Sequence, residues 1–504
     1  MFKCKQLLRR ICVVSYVFLL CGGLVNASNL VSKTNTLIGT QGNGWASGYL
    51  YPGATYPFGM VQFTPTYFTK QLGFVINQLS GAGCDHMGNF PTLPIAGALR
   101  VSPDSILNMQ TPVGKEIGTA GYYAATVDHS IRAELTVTER TGMARYTFSS
   151  KEKQGTVIIG GGVAATPIQV AAIKITGPHS CEGYAEGGAF CGIPTPYKVY
   201  FVAEFDADAE SFGTWKEERL HANHTFAEGS HSGVYFTFPL KEGNQAVQYK
   251  IGVSYVSVEN ARENLRVENP AWDFSAVRQA TQDKWNEYLG KIEVEGDNED
   301  RQMQFYTHLY RSLIHPNVCS DVNGEYMGAD SQVHKTARKF YTSFSNWDTY
   351  RTQTALIAML APEETSDIVM SHYLFAEQSG GGFPRWVLAN IETGVMQGDP
   401  TPILVANAYA FGARTYDPRT LLRTMRYGAE VPGANSQGVL TRPGLEQYLE
   451  KGYYDASILL EYTSSDFAIG RFALQACNDE PVCNWYTQRA MNWKNLFNKE
   501  TGWL

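Results

Sequence analysis

The chain has 504 residues, 44% hydrophobic and 18% charged, with 41 basic against 48 acidic side chains for a net charge of −7. That composition suits a folded chain of roughly two or three domains and excludes bulk disorder. The acidic balance argues against nucleic acid as a partner.

Residues 1–27 read as a secretory signal: Lys3, Lys5, Arg9 and Arg10 precede the apolar run ICVVSYVFLLCGGLV, and Val25-Asn26-Ala27 supplies a small-residue cleavage site. The run is shorter than the roughly 20 residues that span a bilayer, so no stable membrane span is expected after cleavage near Ser28. The expected location is secreted or periplasmic. The leader carries four basic residues and no acidic one, so cleavage leaves 37 basic against 48 acidic side chains, a net of −11. Three of the nine cysteines depart with it, and six remain for an oxidising compartment. By proximity in sequence, Cys181 with Cys191 and Cys477 with Cys483 are expected to staple local loops, with Cys84 and Cys319 paired or free. No Cys-x-x-Cys zinc pattern competes with disulfides.

From about residue 36 to 265, Gly and Pro punctuate short runs rich in Val, Ile, Tyr, Phe and Thr, such as GTVIIGGG, YKVYFVAEF and AVQYKIGVSYVSV. These are strand signals with the spacing of an antiparallel sandwich, assigned to residues 28–270. PAWDFSAVRQATQDKWNEYLGKI then reads as a helical linker over 271–297. From 298 to 504 seven segments place apolar residues three to four apart, among them NWDTYRTQTALIAML, EETSDIVMSHYLFAEQ and ASILLEYTSSDFAIGRFALQA. The expectation is a multidomain β plus α chain, an antiparallel β-sandwich followed by a toroid of paired helices. Seven helices are too few to close an (α/α)6 toroid, so the barrel is read as incomplete. An incomplete ring would leave apolar helix faces bare.

Several loops carry candidate chemistry. IGTQGNGWASGYLYPGATYPFGMVQFTPT combines turn-permitting glycines (Gly42, Gly44, Gly48) with Trp45, Tyr49 and Tyr51, flat faces on which a sugar ring can stack. In LSGAGCDHMGNFPTLPIAG, Asp85 and His86 are adjacent and read as a satisfied loop pair rather than metal ligands. CSDVNGEYMGAD begins like a calcium loop at Asp321 and Asn323, but Gln332 fills the acidic last position, so Asn323-Gly324 reads as a turn. SFSNWDTYRTQTALIAML sets Trp347, Asp348 and Arg351 at the mouth of an apolar helix. EQSGGGFPRWVLANIETGVMQGDP places Arg385, Trp386 and Asp399 in a second loop. In a toroid the loops at one end build a single concave site, where these six side chains would meet. A carboxylate accepting two vicinal hydroxyls beside an indole is a pyranose grip. The alternative is that Asp348 caps its helix and Arg351 pairs with it on the next turn.

GTQGNGWASGYLYPGATYPFGMVQFTP, LSGAGCDHMGNFPTLP, SNWDTYRTQTALI and GFPRWVLANIETGVMQGDP, in this order, resemble glycoside hydrolase family 92, the calcium-dependent exo-acting α-mannosidases. The likeness runs from about Ile38 to the last residue. It implies a β-sandwich packed on an (α/α)6 barrel, with the active site at their interface. It also implies inverting hydrolysis of terminal α-linked mannose in glycans, with calcium gripping the sugar's O2 and O3. By similarity Trp347 and Asp348 line the mannose pocket, helped by Pro52 and Gly53 in the loop Tyr51 to Ala54. Inversion requires a protonated carboxyl and a second carboxylate about 6.5–9.5 Å away. The family's acid glutamate lies in a Glu-Gly-Asn-Ala-Trp-Gln-Tyr type motif, and the acid, the base and most calcium ligands are expected beyond Leu504. EGNQAVQY, beginning at Glu242, imitates that motif with one residue too many, between two sandwich strands, and reads as a solvated turn. The alternative to an enzyme is a non-catalytic mannose-binding remnant.

Overall fold

Alternation of apolar and polar residues is preserved as alternating burial along the longest strands: Ser180–Phe190 turns every second side chain inward over most of its length. The computed structural model describes residues 29–41, 48–66, 73–104, 113–241 and 245–504. The leader, Gly42, Gly44, Trp45 and Glu242 lie outside the described residues. In sequence, Glu242 falls between the strands Ser232–Pro239 and Ala246–Ser254.

Two antiparallel sheets face each other. One has eight strands in the spatial order Ala54–Thr55, Gln62–Pro65, Phe74–Val75, Thr92–Ala96, Gln154–Gly160, Ser232–Pro239, Ser211–Lys216, Arg219–Ala222. The other has nine, running from Phe226–Glu228 through Ile168–Gly177, Ser180–Phe190, Ile193–Phe205, Ala246–Ser254, Thr141–Thr147, Ile131–Val137 and Tyr122–Val127 to Val113–Thr119. Their inner faces bury one continuous core that includes Phe63, Tyr146, Ile158, Phe201, Trp215, Phe236 and Tyr249. Such face-to-face packing is the sandwich that the strand spacing predicts.

The last sandwich strand ends at Ser254 and helix Val258–Glu268 begins, capped by Ser257, whose hydroxyl accepts from Asn260 N–H. Short polar residues start five later helices in the same way: Asp273, Asn298, Asp417, Asp455 and Asp479 each accept a first-turn N–H. Helix Phe274–Leu289 does more than link. Its Trp285 is fully buried, lies tilted against Tyr310 with ring centres 4.7 Å apart, and donates its indole N–H to Thr55 O at 2.7 Å. Helices Glu299–Ser312, Gln353–Leu360, Pro362–Ser379, Thr401–Ala410, Pro418–Glu430, Ala456–Cys477 and Glu480–Ala490 follow.

Two features differ from the sequence reading. The stretch expected as one helix from Asn346 is broken into a single turn, Asn346–Thr349, and the helix Gln353–Leu360. The carbonyls freed by the break are taken up, Thr349 O by the Thr354 hydroxyl and Tyr350 O by the Asn407 amide. The helical half also holds short strand pairs, including Phe344–Ser345 with Trp386–Leu388 and Ile391–Glu392. Two- and three-residue strands are too short to show a period of two. A groove of about 540 Å³ runs along the helical half past Tyr350, Ile403, Phe467, Met491 and Trp493, with Phe467 55% exposed.

Asp321 is held by Ser254, Asn260 and Asn264, and Gly324 N–H donates to Asp321 O, so the calcium-like stretch is a turn.

Trp285→Ala removes a large buried ring and orphans Thr55 O; a loss of about 3–5 kcal/mol is expected. Urea unfolding monitored by circular dichroism measures it, and a loss under about 1 kcal/mol would mean that this helix is not anchored by its indole.

Candidate active site

A cavity of about 620 Å³ opens at the seam between the sandwich and the helices. The sandwich contributes the loop from Leu79 to Cys84, with Phe190 and Cys191 at the end of a long hairpin. The helical half contributes His308, Arg311, Ser312 and His315, which recur three to four residues apart at the end of helix Glu299–Ser312 and just beyond it. Ser345, Asp348 and Gln353 of the broken helix, with Trp386, close the other side.

Asp348 is exposed and accepts a hydrogen bond from the Ser345 hydroxyl at 2.5 Å. It does not pair with Arg351. That guanidinium lies 4.3 Å from the centre of the Trp347 ring and 3.8 Å from Glu461. Trp347 donates its indole N–H to Glu461 Oε1 at 2.9 Å. The trio at the helix mouth is therefore divided: Asp348 lines the cavity, while Trp347 and Arg351 form a layer with Glu461 of helix Ala456–Cys477.

Trp386 also lines the cavity, stacked on Phe190 with ring centres 4.1 Å apart and planes 24° apart. Its backbone is held by Glu392, a buried carboxylate that accepts from the N–H groups of Arg385 (2.6 Å), Trp386 (3.2 Å) and Gly394 (2.8 Å). Burial raises the Glu392 carboxyl above its ordinary range, against the pull of those N–H groups. Sequence reasoning missed Glu392 and Glu461, since each acquires a role only from a partner brought close by folding.

Arg385 and Asp399 are placed elsewhere. The guanidinium of Arg385 spends its donors on the carbonyls of Gly394, Met396, Gly398, Leu440 and Thr441, leaving none for a sugar. Asp399 pairs with Arg442 at 2.8 Å, and Arg442 continues to Asp466 at 2.7 Å; the Arg442 side chain is 0% exposed. Asp466 in turn accepts from Arg489 and the Tyr448 hydroxyl. This buried chain of charges ties two loops to helices Ala456–Cys477 and Glu480–Ala490, and none of its members lines the cavity. Pro52 and Gly53 are buried too. Gly53 N–H donates to the Thr64 hydroxyl, and a Cβ at Gly53 would lie 2.1 Å from Thr64 Cβ, so the glycine permits close backbone approach.

The expected local disulfides are not formed. Cys84 bonds Cys191 across 107 residues, with 5.2 Å between Cα atoms, at the cavity wall. Cys181 is separated from Cys191 by an extended strand that rises about 3.3 Å per residue and places its thiol in the core. Cys477 and Cys483 sit on successive helices as free thiols, and Cys319 is a buried thiol.

His86 is fully buried: Nε2 accepts from Leu79 N–H at 2.7 Å and Nδ1 donates to Cys84 O. His315 accepts from Ser80 N–H at 2.9 Å and donates through Nδ1 to Asn317. Burial pushes both imidazoles down to about 4. Asp348 is the one carboxylate among the described residues that line the cavity, and among the described residues no group of three or more His, Cys, Asp or Glu converges as a metal site. One carboxylate is too few oxygen donors for these lining residues to hold a calcium ion by themselves.

Two outcomes follow from this geometry. Asp399→Ala strands Arg442 and should cost about 3–5 kcal/mol, whereas Asp348→Ala should stay within about 0.5 kcal/mol of the parent in the same thermal melts. Both histidines must be neutral to accept, and their folded values lie near 4, below the ordinary 6.5. Between those values the unfolded chain binds more protons, so stability is full above pH 6.5 and declines as pH falls towards 4. A melting temperature that does not drop over that window would show that the imidazoles are not neutral acceptors.

The model of the glycosyl hydrolase family 92 N-terminal domain matches residues 34–254, and that of the family's catalytic domain matches residues 260–504. A protein of Arthroderma benhamiae described as an uncharacterized secreted glycosidase is 25% identical, over 93% of this chain and 62% of its own length. Among solved structures, a family GH92 alpha-mannosidase from Bacteroides thetaiotaomicron superposes with a TM-score of 0.85 at 24% identity, covering 94% of this chain and 66% of its own. A GH92 inverting mannosidase from the same organism gives 0.84 at 26% identity, with coverages of 94% and 66%. The chain thus spans less than two thirds of the length of these relatives. With both domain models matched in order over nearly its whole length, the chain belongs to glycosyl hydrolase family 92.

Proposed function

We propose that this chain acts in the hydrolysis of terminal α-linked mannose from glycans, with inversion, and that the seam cavity holds the terminal sugar. The observation that carries the reading is the placement of exposed Asp348 and stacked Trp386 on one cavity between the two matched domains. Asp348 accepts hydrogen bonds from a pair of sugar hydroxyls, with the Ser345 hydroxyl fixing one of its oxygens. Trp386, wedged against Phe190, gives a rigid apolar face to the ring. A cavity of about 620 Å³ falls in the range of small-ligand sites, which suits exo action on a chain end. Family membership and the mannosidase relatives support the substrate and the inverting outcome. Inversion calls for two carboxyl groups, and Asp348 alone among the described lining residues is one. The residues described here therefore account for recognition of the sugar, and calcium assistance rests on the family resemblance. Secretion fits the relative described as secreted and the leader-like first 27 residues.

The test is calorimetry with methyl α-D-mannoside together with an assay of mannose release from an α-linked mannobiose, with calcium and with a chelator. Mannoside binding with mannose release, both weakened in Asp348→Asn by about 10- to 100-fold, is the expected result. Binding without release would leave mannose recognition as the function of this chain, and neither binding nor release would overturn the assignment of the cavity.

A further inference from the structure

The loop from Leu79 to Cys84 forms one wall of the cavity, and its two ends are fastened at three points that belong to different parts of the fold. Leu79 N–H donates to His86, inside the sandwich. Ser80 N–H donates to His315, from the helical half. Cys84 is bonded to Cys191, which directly follows Phe190, the ring on which Trp386 stacks. Between these points the loop is Gly81-Ala82-Gly83, and Gly81 adopts a φ of +84° that a larger residue would resist. Gly81 N–H donates to Tyr49 O at 3.0 Å and Ala82 packs against the sandwich core, while Gly81 and Gly83 are exposed. The disulfide lies on the cavity surface and Cys191 is exposed, so the bond is open to solvent.

We infer that the Cys84–Cys191 bond is a positioning and specificity-determining element of the sugar site: it straps the Leu79–Cys84 wall to the Phe190–Trp386 stack and so sets the width of the cavity. This rests on the reading of the cavity as the sugar site. A covalent tie at the far end of a glycine-rich loop removes the wider conformations that the three hydrogen bonds at its near end, from the N–H groups of Leu79, Ser80 and Gly81, would allow. It also holds Phe190 in register behind Trp386, so that the indole face is set before a sugar arrives. Reduction by a phosphine or dithiol converts the bond to two thiols and frees the wall. The other four cysteines among the described residues are already thiols, which makes the reduction selective there.

The experiment compares the full chain, oxidised and after treatment with a phosphine reductant, by hydrogen exchange and by calorimetry with methyl α-D-mannoside. A Cys84→Ser/Cys191→Ser double variant is carried in parallel. Reduction should speed exchange of the amides from Leu79 to Cys84 by about tenfold, with the sandwich strands Thr141–Thr147 and Ala246–Ser254 unchanged. Affinity for the mannoside should fall about three- to tenfold, and the double variant should match the reduced chain and ignore the reductant. Equal exchange in the oxidised and reduced chains would overturn the inference, as would equal affinity with faster exchange. A reduced chain that unfolds altogether would make the bond a staple of the fold and overturn it as well. If the oxidised chain binds no mannoside, the sugar reading fails, and the exchange data still decide whether the bond straps the wall.

Discussion

Backbone groups at the seam between sandwich and helices have lost their water, and each has to find a partner from the other side. Arg311, on helix Glu299–Ser312, donates to the carbonyls of Thr36, Ile38 and Tyr51. Trp285 donates to Thr55 O, Arg140 donates to Ser320 O, and His315 accepts from Ser80. These bonds tie the two halves at separate points, and two of the groups that make them, Arg311 and His315, also line the cavity. Since unpaired buried groups are costly, the seam has few alternative arrangements, and the wall residues inherit that rigidity.

The same economy governs the loop after helix Pro362–Ser379. Arg385 and Glu392 resemble site residues by type, but both act on backbone. One collects five carbonyls, the other three N–H groups. Their combined effect is to hold Trp386 against Phe190, an aromatic contact that crosses from the helical half to the sandwich. A side chain of chemical character in a motif can thus belong to the support of a site rather than to its surface.

Much of the architecture was legible because it depends on patterns local in sequence. Alternation in Ser180–Phe190 and three-to-four spacing in Ala456–Cys477 reflect burial of one face and survive into the structure. Asp348 and Trp386 were readable as cavity residues from motifs of indole, carboxylate and glycine. Trp347 and Arg351 were not readable in their actual role, because Glu461 lies more than a hundred positions away. The disulfide was misread for the same reason: neighbours in sequence are driven apart by an extended strand, and Cys84 meets Cys191 only when the hairpin folds over the glycine loop.

By itself the sequence determined which of the longer segments are strands and which are helices, since hydrophobic period and capping residues act within a turn or two of the chain. It also carried the family likeness, through several motifs in order. Tertiary structure alone decided which motif side chains reach the cavity, which of them are consumed by backbone or by a buried ion chain such as Asp399, Arg442 and Asp466, and which cysteines join. Those outcomes depend on pairing polar groups that are distant in sequence once water has been excluded, and no local pattern encodes that choice.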